Sequence, residues 1–321
     1  MKAQWLPRSR GKTIVAASAA ALCCGALMSA VTAPGRAEAS TAQAAIPAGD
    51  HPAGFWYGTD SWPVTVSGKP PYAEPVIGGS YGGYIGMAGN WAHRVGCHGF
   101  IAWSPVNSAQ ANTNFLQYHR GIGTGVYWFM GGPGVDPQYN GTVSEATNWG
   151  VRQAQWTLAD MGSLKVTYPV VFEDVELPGI APAPDNGWNS VYTSSCSGRV
   201  KQNYVPIALD RADFNGFADY ITSHSSYKVG VYSSPSVWTS IFGTGPESLI
   251  PNTYEWTYSS FTSSLSHHPD GWCLQGTTTC AAFFGGDNSS SKYALMWQWS
   301  GGGGSRNGYG DFDQIDAART P

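Results

Sequence analysis

Short apolar runs bounded by glycine or proline recur along the chain. The clearest is Val170-Val-Phe172, which Pro169 opens and which Pro178-Gly179 closes after an acidic stretch. A run of this length between such residues is typical of a buried parallel strand. Similar runs predict further strands at 55–62, 99–104, 125–130, 227–233, 254–258 and 292–299.

Helical periodicity separates several of these strands. Apolar residues spaced by three or four predict a helix over 144–161 and another over 208–223, in which Asp210 is a candidate cap. Ser234-Pro235 predicts the start of a third helix, because proline is favoured directly after a capping serine. The alternation of strand, helix and strand indicates a parallel α/β architecture.

The first 39 residues have the pattern of a secretory signal peptide. Four basic residues lie within residues 2–12, an alanine-rich apolar run covers 13–31, and Ala37-Glu-Ala39 offers a cleavage site. The alternative is a transmembrane anchor, although the run is built from Ala, Ser and Gly rather than Leu and Ile. Residues 40–53, which are rich in Ala and Pro, are expected to be a disordered lead-in.

Removal of residues 1–39 changes the size and the charge of the chain. The remaining 282 residues suit one large α/β barrel, covering 54–318, better than two small domains. Five basic residues and one acidic residue leave with the signal, so 12 basic and 20 acidic residues remain, a net charge of −8. This balance argues against nucleic acid as a partner. No other apolar run is long enough to span a membrane, and we expect a monomer.

Four cysteines remain after the signal. Cys273 and Cys280 enclose a short Gly/Thr loop, so they are the natural disulfide pair. Cys97 and Cys196 would then join two long loops. A zinc site is the alternative, but no Cys-x-x-Cys spacing supports it.

Three carboxylates occupy the far end of the central strand. Because side chains alternate across a strand, Asp174 and Glu176 are expected on one side and Glu173 on the other. Repulsion and desolvation should raise at least one pKa of the Asp174–Glu176 pair, as a general acid near neutral pH requires. The alternative is a carboxylate pair held by Arg or Lys at the mouth of a loop.

Acids also follow the first and the last predicted strands. Asp60 ends the first, and Asp311 and Asp313 come after the last. In a parallel barrel all strand C-termini face one mouth, so these acids should meet the central pair there. A metal site of clustered Asp is the weaker alternative, because no His accompanies it. The glycine-rich stretch 78–86 lacks the ending of a phosphate loop, and we expect no cofactor.

Aromatic residues are numerous and charged residues are few. The chain has 14 Trp and 17 Tyr, while charged residues make up 12%. Tyr and Trp offer a flat apolar face and a polar edge, which suits stacking on sugar rings. Tyr127, Tyr232 and Trp299 are the candidates for substrate binding. The alternative is ordinary packing in the core or at the barrel mouth.

Four segments in this order resemble the family 25 glycoside hydrolases, the lysozymes of the Chalaropsis type. They correspond to the family's first-strand Asp motif, its fourth-strand Asp-x-Glu, its fifth helix–strand unit, and its last strand with a terminal acidic motif. The segments are Gly58-Thr-Asp60-Ser-Trp62, Phe172-Glu-Asp-Val-Glu176, residues 213–235, and Met296-Trp-Gln-Trp299 with Gly310-Asp-Phe-Asp313. The family's second strand has no recognisable counterpart in 63–104. The chain is also similar to a broader actinobacterial set of glycoside hydrolase-like barrels.

The resemblance implies an irregular TIM-type barrel of (β/α)5β3 type and cleavage of the β-1,4 bond between N-acetylmuramic acid and N-acetylglucosamine. Glu176 would be the general acid, and Asp174 would orient the substrate N-acetyl group or activate water. Asp60 and either Asp311 or Asp313 would complete the acidic mouth. Whether the reaction inverts or retains configuration depends on the separation of the carboxyl groups.

Three functions follow in order of preference. The first is a secreted glycosidase that acts on peptidoglycan. The second is a non-hydrolytic barrel that binds cell-wall glycan through Trp and Tyr, and the third is a structural protein whose acids are solvated loop ends. A shared fold does not decide between them.

Overall fold

The computed structural model describes residues 55–61, 81–96, 123–162, 166, 168–177, 186–193, 200–243, 253–261, 273, 280–283, 293–300 and 311–316. All of them belong to one compact unit, residues 42–321. The first half contains β1 Phe55–Ser61, β2 Tyr81–Asn90, α1 Trp91–Arg94, β3 Gly123–Phe129, α2 Val143–Met161 and β4 Val170–Asp174. The second half contains β5 Ser190–Thr193, β6 Val200–Tyr204, α3 Ile207–His224, β7 Lys228–Ser233, α4 Pro235–Phe242, β8 Tyr254–Tyr258, β9 Met296–Ser300 and β10 Asp311–Asp316.

Eight strands pair into a closed ring in the order β1-β10-β9-β8-β7-β4-β3-β2. Every neighbouring pair from β1 through β9 is parallel. Only β10 runs the other way, antiparallel to both β9 and β1. Strands β5 and β6 form a separate antiparallel pair between β4 and α3. The predicted α/β class is therefore confirmed.

Both faces of the barrel wall are packed. All five residues of β4 are buried, as predicted for a parallel strand covered on both sides. Val170 and Phe172 point into the barrel, where they meet Tyr232 and Trp256. Val171 points outwards into the layer that helices α2, α3 and α4 cover. This alternation decides which acids of the chain face the barrel interior.

Strand β2 was not predicted, because its glycines hide the alternation of a strand. The sequence Tyr81–Asn90 contains Gly82, Gly83, Gly86 and Gly89. At Gly89 a Cβ atom would lie 2.4 Å from the ring of Trp128, so the close packing of that ring requires glycine. The strand that the sequence left unrecognised in 63–104 is therefore β2. The strand predicted at 99–104 lies outside the described residues.

The last strand of the barrel was also misplaced. The sequence predicted a final strand at 292–299, whereas β9 covers Met296–Ser300 and β10 follows it. Asp311 and Asp313 thus belong to a strand instead of a tail after the last strand. Antiparallel pairing places the start of β10 beside the end of β1, since Asp60 is opposite Asp311.

Two of three helix starts differ in detail from the prediction. Helix α2 begins after Thr142, whose Oγ1 accepts a hydrogen bond from the Glu145 amide at 3.2 Å. Asp210 does not cap α3, because Pro206 is the N-cap and Asp210 lies buried in the first turn. The predicted cap of α4 is confirmed, since Ser234 Oγ accepts from the Val237 amide at 3.3 Å.

The predicted disulfide between Cys273 and Cys280 is confirmed. Cys97 and Cys196 lie outside the described residues, as do the signal segment 1–39 and the lead-in 40–53. Among the helices that the structure describes, none combines the length and apolar character that crossing a membrane requires.

Candidate active site

The predicted acids converge at the end of the barrel where the parallel strands finish, which we call the mouth. Asp60 is the penultimate residue of β1, and Asp174 is the last residue of β4. Asp311 and Asp313 reach the same end because β10 enters there. The register pairs Asp60 with Asp311 and Asp174 with Tyr232. Carboxyl groups from opposite sides of the ring therefore meet at one end of the barrel.

The charges of four of these acids act on the side chain of Tyr232. Its side chain is buried and its pKa is raised, first by burial and then by the charges of four carboxyl groups. They are Glu176, Asp174, Asp60 and Asp311. Four acids thus act on one phenol, which is the convergence that the sequence predicted.

Glu176 is held in place by the backbone around it. It lies two residues past β4, where the Val175 amide donates to the Tyr232 carbonyl at 2.9 Å. Ser233 Oγ donates to the Val175 carbonyl at 2.9 Å, and Asn186 Nδ2 donates to the Glu176 carbonyl at 2.9 Å. The segment after the strand is therefore fixed on both sides, which limits the positions open to the Glu176 carboxyl group.

The Asp174–Glu176 pair has the raised pKa values that the sequence predicted. Burial, followed by the charge of Asp311, raises the pKa of Glu176 to about 7. Burial and the charge of Glu176 raise the pKa of Asp174 well above its usual range. Asp174 Oδ1 is buried and has no hydrogen-bond partner among the described residues. The pair can therefore hold a proton near neutral pH and give it up to a bound group.

Asp60 and Asp313 form a second carboxyl pair on the other side of the mouth. Burial raises the pKa of Asp60, and the charges of Asp313 and Asp311 raise it further. Burial also raises the pKa of Asp313 to about 8, although Trp256 Nε1 donates to its Oδ1 at 2.8 Å. Because the two carboxyl groups act on each other, they titrate as a pair and not independently.

Gln298 connects this second pair to Tyr232. Its Nε2 donates to Asp60 Oδ2 at 2.7 Å, and its Oε1 accepts from the Tyr232 hydroxyl at 2.6 Å. The amide is buried, with 4% of the residue exposed. One polar contact chain therefore crosses the mouth from β1 through β9 to β7.

The alternative of a carboxylate pair held by a cation finds no support in the described part of the chain. The ion pairs there join Arg94 to Asp160 and Arg152 to Asp136 and Glu145. None of these pairs includes Asp60, Asp174, Glu176 or Asp313. Nor do three or more His, Cys, Asp or Glu of the described residues form a group able to hold a metal ion.

The aromatic candidates separate into two groups. Tyr127 and Tyr232 both point into the barrel and pack with Trp256, at ring centroid distances of 6.2 Å and 4.5 Å. Trp299 is fully buried and stacks on Phe312 at 5.3 Å. It neighbours Gln298 in the strand and so points to the opposite face. The structure does not bring Trp299 together with the carboxyl groups.

No family model matches the sequence, and no curated protein matches it. Solved structures do resemble the fold. A muramidase from Acremonium alcalophilum has 14% sequence identity and a TM-score of 0.46, and the match covers 83% of this chain and 96% of the muramidase chain. A family GH25 lysozyme from Aspergillus fumigatus has 14% identity and a TM-score of 0.45, covering 82% and 95%. A bacterial lysozyme from Streptomyces coelicolor has 15% identity and a TM-score of 0.43, covering 83% and 94%.

Two residues of the mouth, Gln298 and Trp256, were not among the predicted site residues. The sequence did carry a signal for the first. Gln298 is a lone amide between Trp297 and Trp299 in an otherwise apolar strand, and a buried amide needs partners. Trp256 carried none, since a tryptophan within a predicted strand is most often core.

Proposed function

We propose that the protein is a secreted glycosidase that hydrolyses β-1,4 linkages of peptidoglycan. The observation that carries this proposal is the convergence of four carboxyl groups on Tyr232, one of which, Glu176, has a pKa of about 7. A carboxylic acid that keeps its proton near neutral pH, with a second carboxyl group beside it, is an arrangement that glycoside hydrolysis uses. The motifs resembling the family 25 lysozymes supply the substrate class.

In this proposal Glu176 donates its proton to the glycosidic oxygen. The bond from the anomeric carbon to that oxygen breaks, and the leaving sugar takes the proton with it. Water then adds to the anomeric carbon, and its second proton passes to a carboxylate of the mouth. Asp174 has one buried oxygen without a hydrogen-bond partner among the described residues, and in this proposal it orients the N-acetyl group or activates that water.

We also propose that the barrel is of the irregular TIM-type, (β/α)5β3. The strand order supports this: β2, β3, β4 and β7 are each followed by a helix before the next barrel strand, whereas β8, β9 and β10 close the ring. Secretion is proposed on the signal sequence alone. The partner expected is the glycan of a cell wall.

A pair of neighbouring variants tests the proposed activity. Mature protein is assayed for release of reducing ends from Gram-positive cell walls. Glu176→Gln should abolish release, because glutamine has no proton to donate. Glu173→Gln is the matched control: this acid lies three positions earlier, on the outer face of the barrel wall, and should leave activity intact.

The same assay gives the outcomes that would overturn the proposal. Equal activity of the Glu176→Gln variant and wild type would remove Glu176 from the mechanism. Wild type that sediments with insoluble peptidoglycan but releases nothing would favour the non-hydrolytic glycan-binding barrel. Wild type that neither binds nor cleaves walls or chito-oligosaccharides would exclude both functions.

A further inference from the structure

The side-chain oxygen and nitrogen of Gln298 make hydrogen bonds to different partners, and the two atoms cannot be interchanged. Its Oε1 only accepts hydrogen bonds and its Nε2 only donates them. The Tyr232 hydroxyl donates to Oε1 at 2.6 Å, and Nε2 donates to Asp60 Oδ2 at 2.7 Å. A reversed amide would set Nε2 against a hydroxyl proton and Oε1 against a carboxylate oxygen. The Asp60 oxygen that accepts from Nε2 therefore fixes the orientation of the amide.

The fixed amide in turn fixes the hydroxyl proton of Tyr232. A phenol has one proton, and here it points at Gln298. The lone pairs of the phenol oxygen can therefore accept hydrogen bonds from groups other than Gln298. The carboxyl groups that act most strongly on this phenol are Glu176 and then Asp174. With these acids around it the phenol stays protonated, so it is an acceptor without becoming a phenolate.

We propose that Gln298 is a positioning residue, which holds the Tyr232 proton and one Asp60 oxygen so that the phenol oxygen acts only as a hydrogen-bond acceptor on the Asp174–Glu176 side of the mouth. The donor to that oxygen is the carboxylic acid of the central pair or a hydroxyl of a bound sugar. This inference rests on the proposed glycosidase function. It adds a connection between the two carboxyl pairs, because a change in the protonation of Asp60 reaches Tyr232 through one amide.

Several groups surround this contact chain and belong to its titration. On β1 and β10 they are Asp60, Asp311 and Asp313, the last paired in register with Gln298. On β4 and after it they are Asp174 and Glu176, and Tyr232 comes from β7. Trp256 of β8 donates to Asp313 and does not titrate.

Methionine at position 298 tests the inference, because it keeps the length of the side chain and removes both hydrogen bonds. Gln298→Met should lower kcat by about tenfold or more, with a smaller change in KM. The acid limb of the pH profile should move to higher pH, since Asp60 loses the amide donor that lowers its pKa. Tyr232→Phe should lower kcat similarly. The double variant should be little worse than either single variant, because both changes break the same chain.

Gln153→Met is the matched control for the loss of a buried amide. Gln153 is also fully buried and accepts from Trp128 Nε1 at 3.2 Å and from the Gly131 amide at 2.9 Å, on the outer face of the barrel. It should lower the melting temperature without moving the pH profile. If Gln298→Met behaves like this control, or if the Gln298 and Tyr232 effects multiply independently, the positioning role is wrong.

A measurement without substrate separates this inference from the proposed function. Stability of wild type, Gln298→Met, Tyr232→Phe and the double variant is measured by denaturant titration across pH 4 to 9. The stability difference between wild type and Gln298→Met should change with pH, as Asp60 ionises, and the two substitutions should be non-additive. A pH-independent, additive pattern would overturn the inference even in an active enzyme. An inactive wild type that shows the coupling would instead overturn only the proposed function.

Discussion

At the scale of single residues, Glu176 owes its character to burial and to one neighbour on another strand. A glutamic acid in water is ionised at pH 7 and has no proton to give. Here desolvation, assisted by the charge of Asp311, raises its pKa to about 7. Half of the molecules near pH 7 would therefore hold the proton that general acid catalysis requires.

This value predicts the alkaline side of the pH profile. Activity on cell walls should fall as pH rises through about 7, because deprotonation of Glu176 removes the proton donor. The measurement is kcat/KM for wall fragments from pH 4 to 9 at constant ionic strength. A rate that stays constant up to pH 9 would show that no group with this pKa donates the proton.

Removal of the Asp311 charge should move this alkaline limb of the pH profile. Asp311→Asn takes away the charge that raises the pKa of Glu176, so the alkaline limb should shift to lower pH by up to about one unit. Asp316→Asn, at the opposite end of the same strand and paired with Phe55, is the control and should leave the limb unmoved. A shift to higher pH in the Asp311 variant would contradict the assigned cause.

Sequence reasoning identified the acids but could not rank Asp311 against Asp313. Both acids follow the last predicted strand, two residues apart, and nothing in the sequence around them identifies their partners. Their partners distinguish them: Asp313 is buried against Trp256, whereas Asp311 is half-buried and acts on Glu176. These contacts come from β8 and from the segment after β4, which lie far away in the sequence, so no local pattern contains them.

At the scale of elements, helices α2 and α3 approach each other through two glycines. A Cβ atom on Gly150 would lie 2.0 Å from the Asp213 carbonyl oxygen, and one on Gly216 would lie 2.3 Å from the Thr147 carbonyl oxygen. Both obstacles are backbone atoms of the facing helix, which cannot move without shifting that helix. The outer layer of this side of the barrel is therefore closely packed.

Gly150→Ala should destabilise the protein although alanine favours helices. Helix propensity alone would add roughly 1 kcal/mol of stability, whereas forcing apart two packed helices costs more, so we expect a net loss of about 2 kcal/mol. Gly162→Ala is the control, because its Cβ would find only ordinary contacts, the nearest at 3.4 Å. Urea unfolding measures both; a Gly150 variant as stable as the Gly162 variant would show that the helices can separate freely.

Elements with regular apolar spacing were predicted well, and those without it were not. Strands β1, β3, β4, β7 and β8 and helices α2 and α3 show clear periodicity, and their observed bounds lie within a few residues of the predicted ones. Strand β2 has glycine at position 89 because the ring of Trp128 packs against it. Strand β10 begins with acids because it lies at the mouth. Both depart from the pattern where packing or the site overrides local preference.

At the scale of the whole molecule, acids are buried on both sides of the barrel wall. Glu173 is fully buried on the outer side, and neither of its oxygens has a hydrogen-bond partner among the described residues. Burial raises its pKa well above the usual range, and the charge of Asp213 adds to this. Burial likewise raises the pKa of Asp213 well above its usual range and that of Asp210 to about 8. These groups remain protonated in the folded protein at pH values where the unfolded chain has lost their protons.

The folded state therefore becomes less stable as pH rises. Between pH 4, near the pKa of unfolded carboxyl groups, and pH 8, the folded protein binds more protons than the unfolded chain, so the free energy of unfolding should fall by about 1.4 kcal/mol per pH unit for each such group. Glu173→Gln removes one of these groups without changing its size. Denaturant unfolding should find this variant equal to wild type near pH 4 and more stable at pH 8, with a shallower pH dependence. A wild-type stability that is flat or rises from pH 4 to 8 would mean that the buried acids are ionised in the fold, and the Glu173 variant would then gain nothing at pH 8.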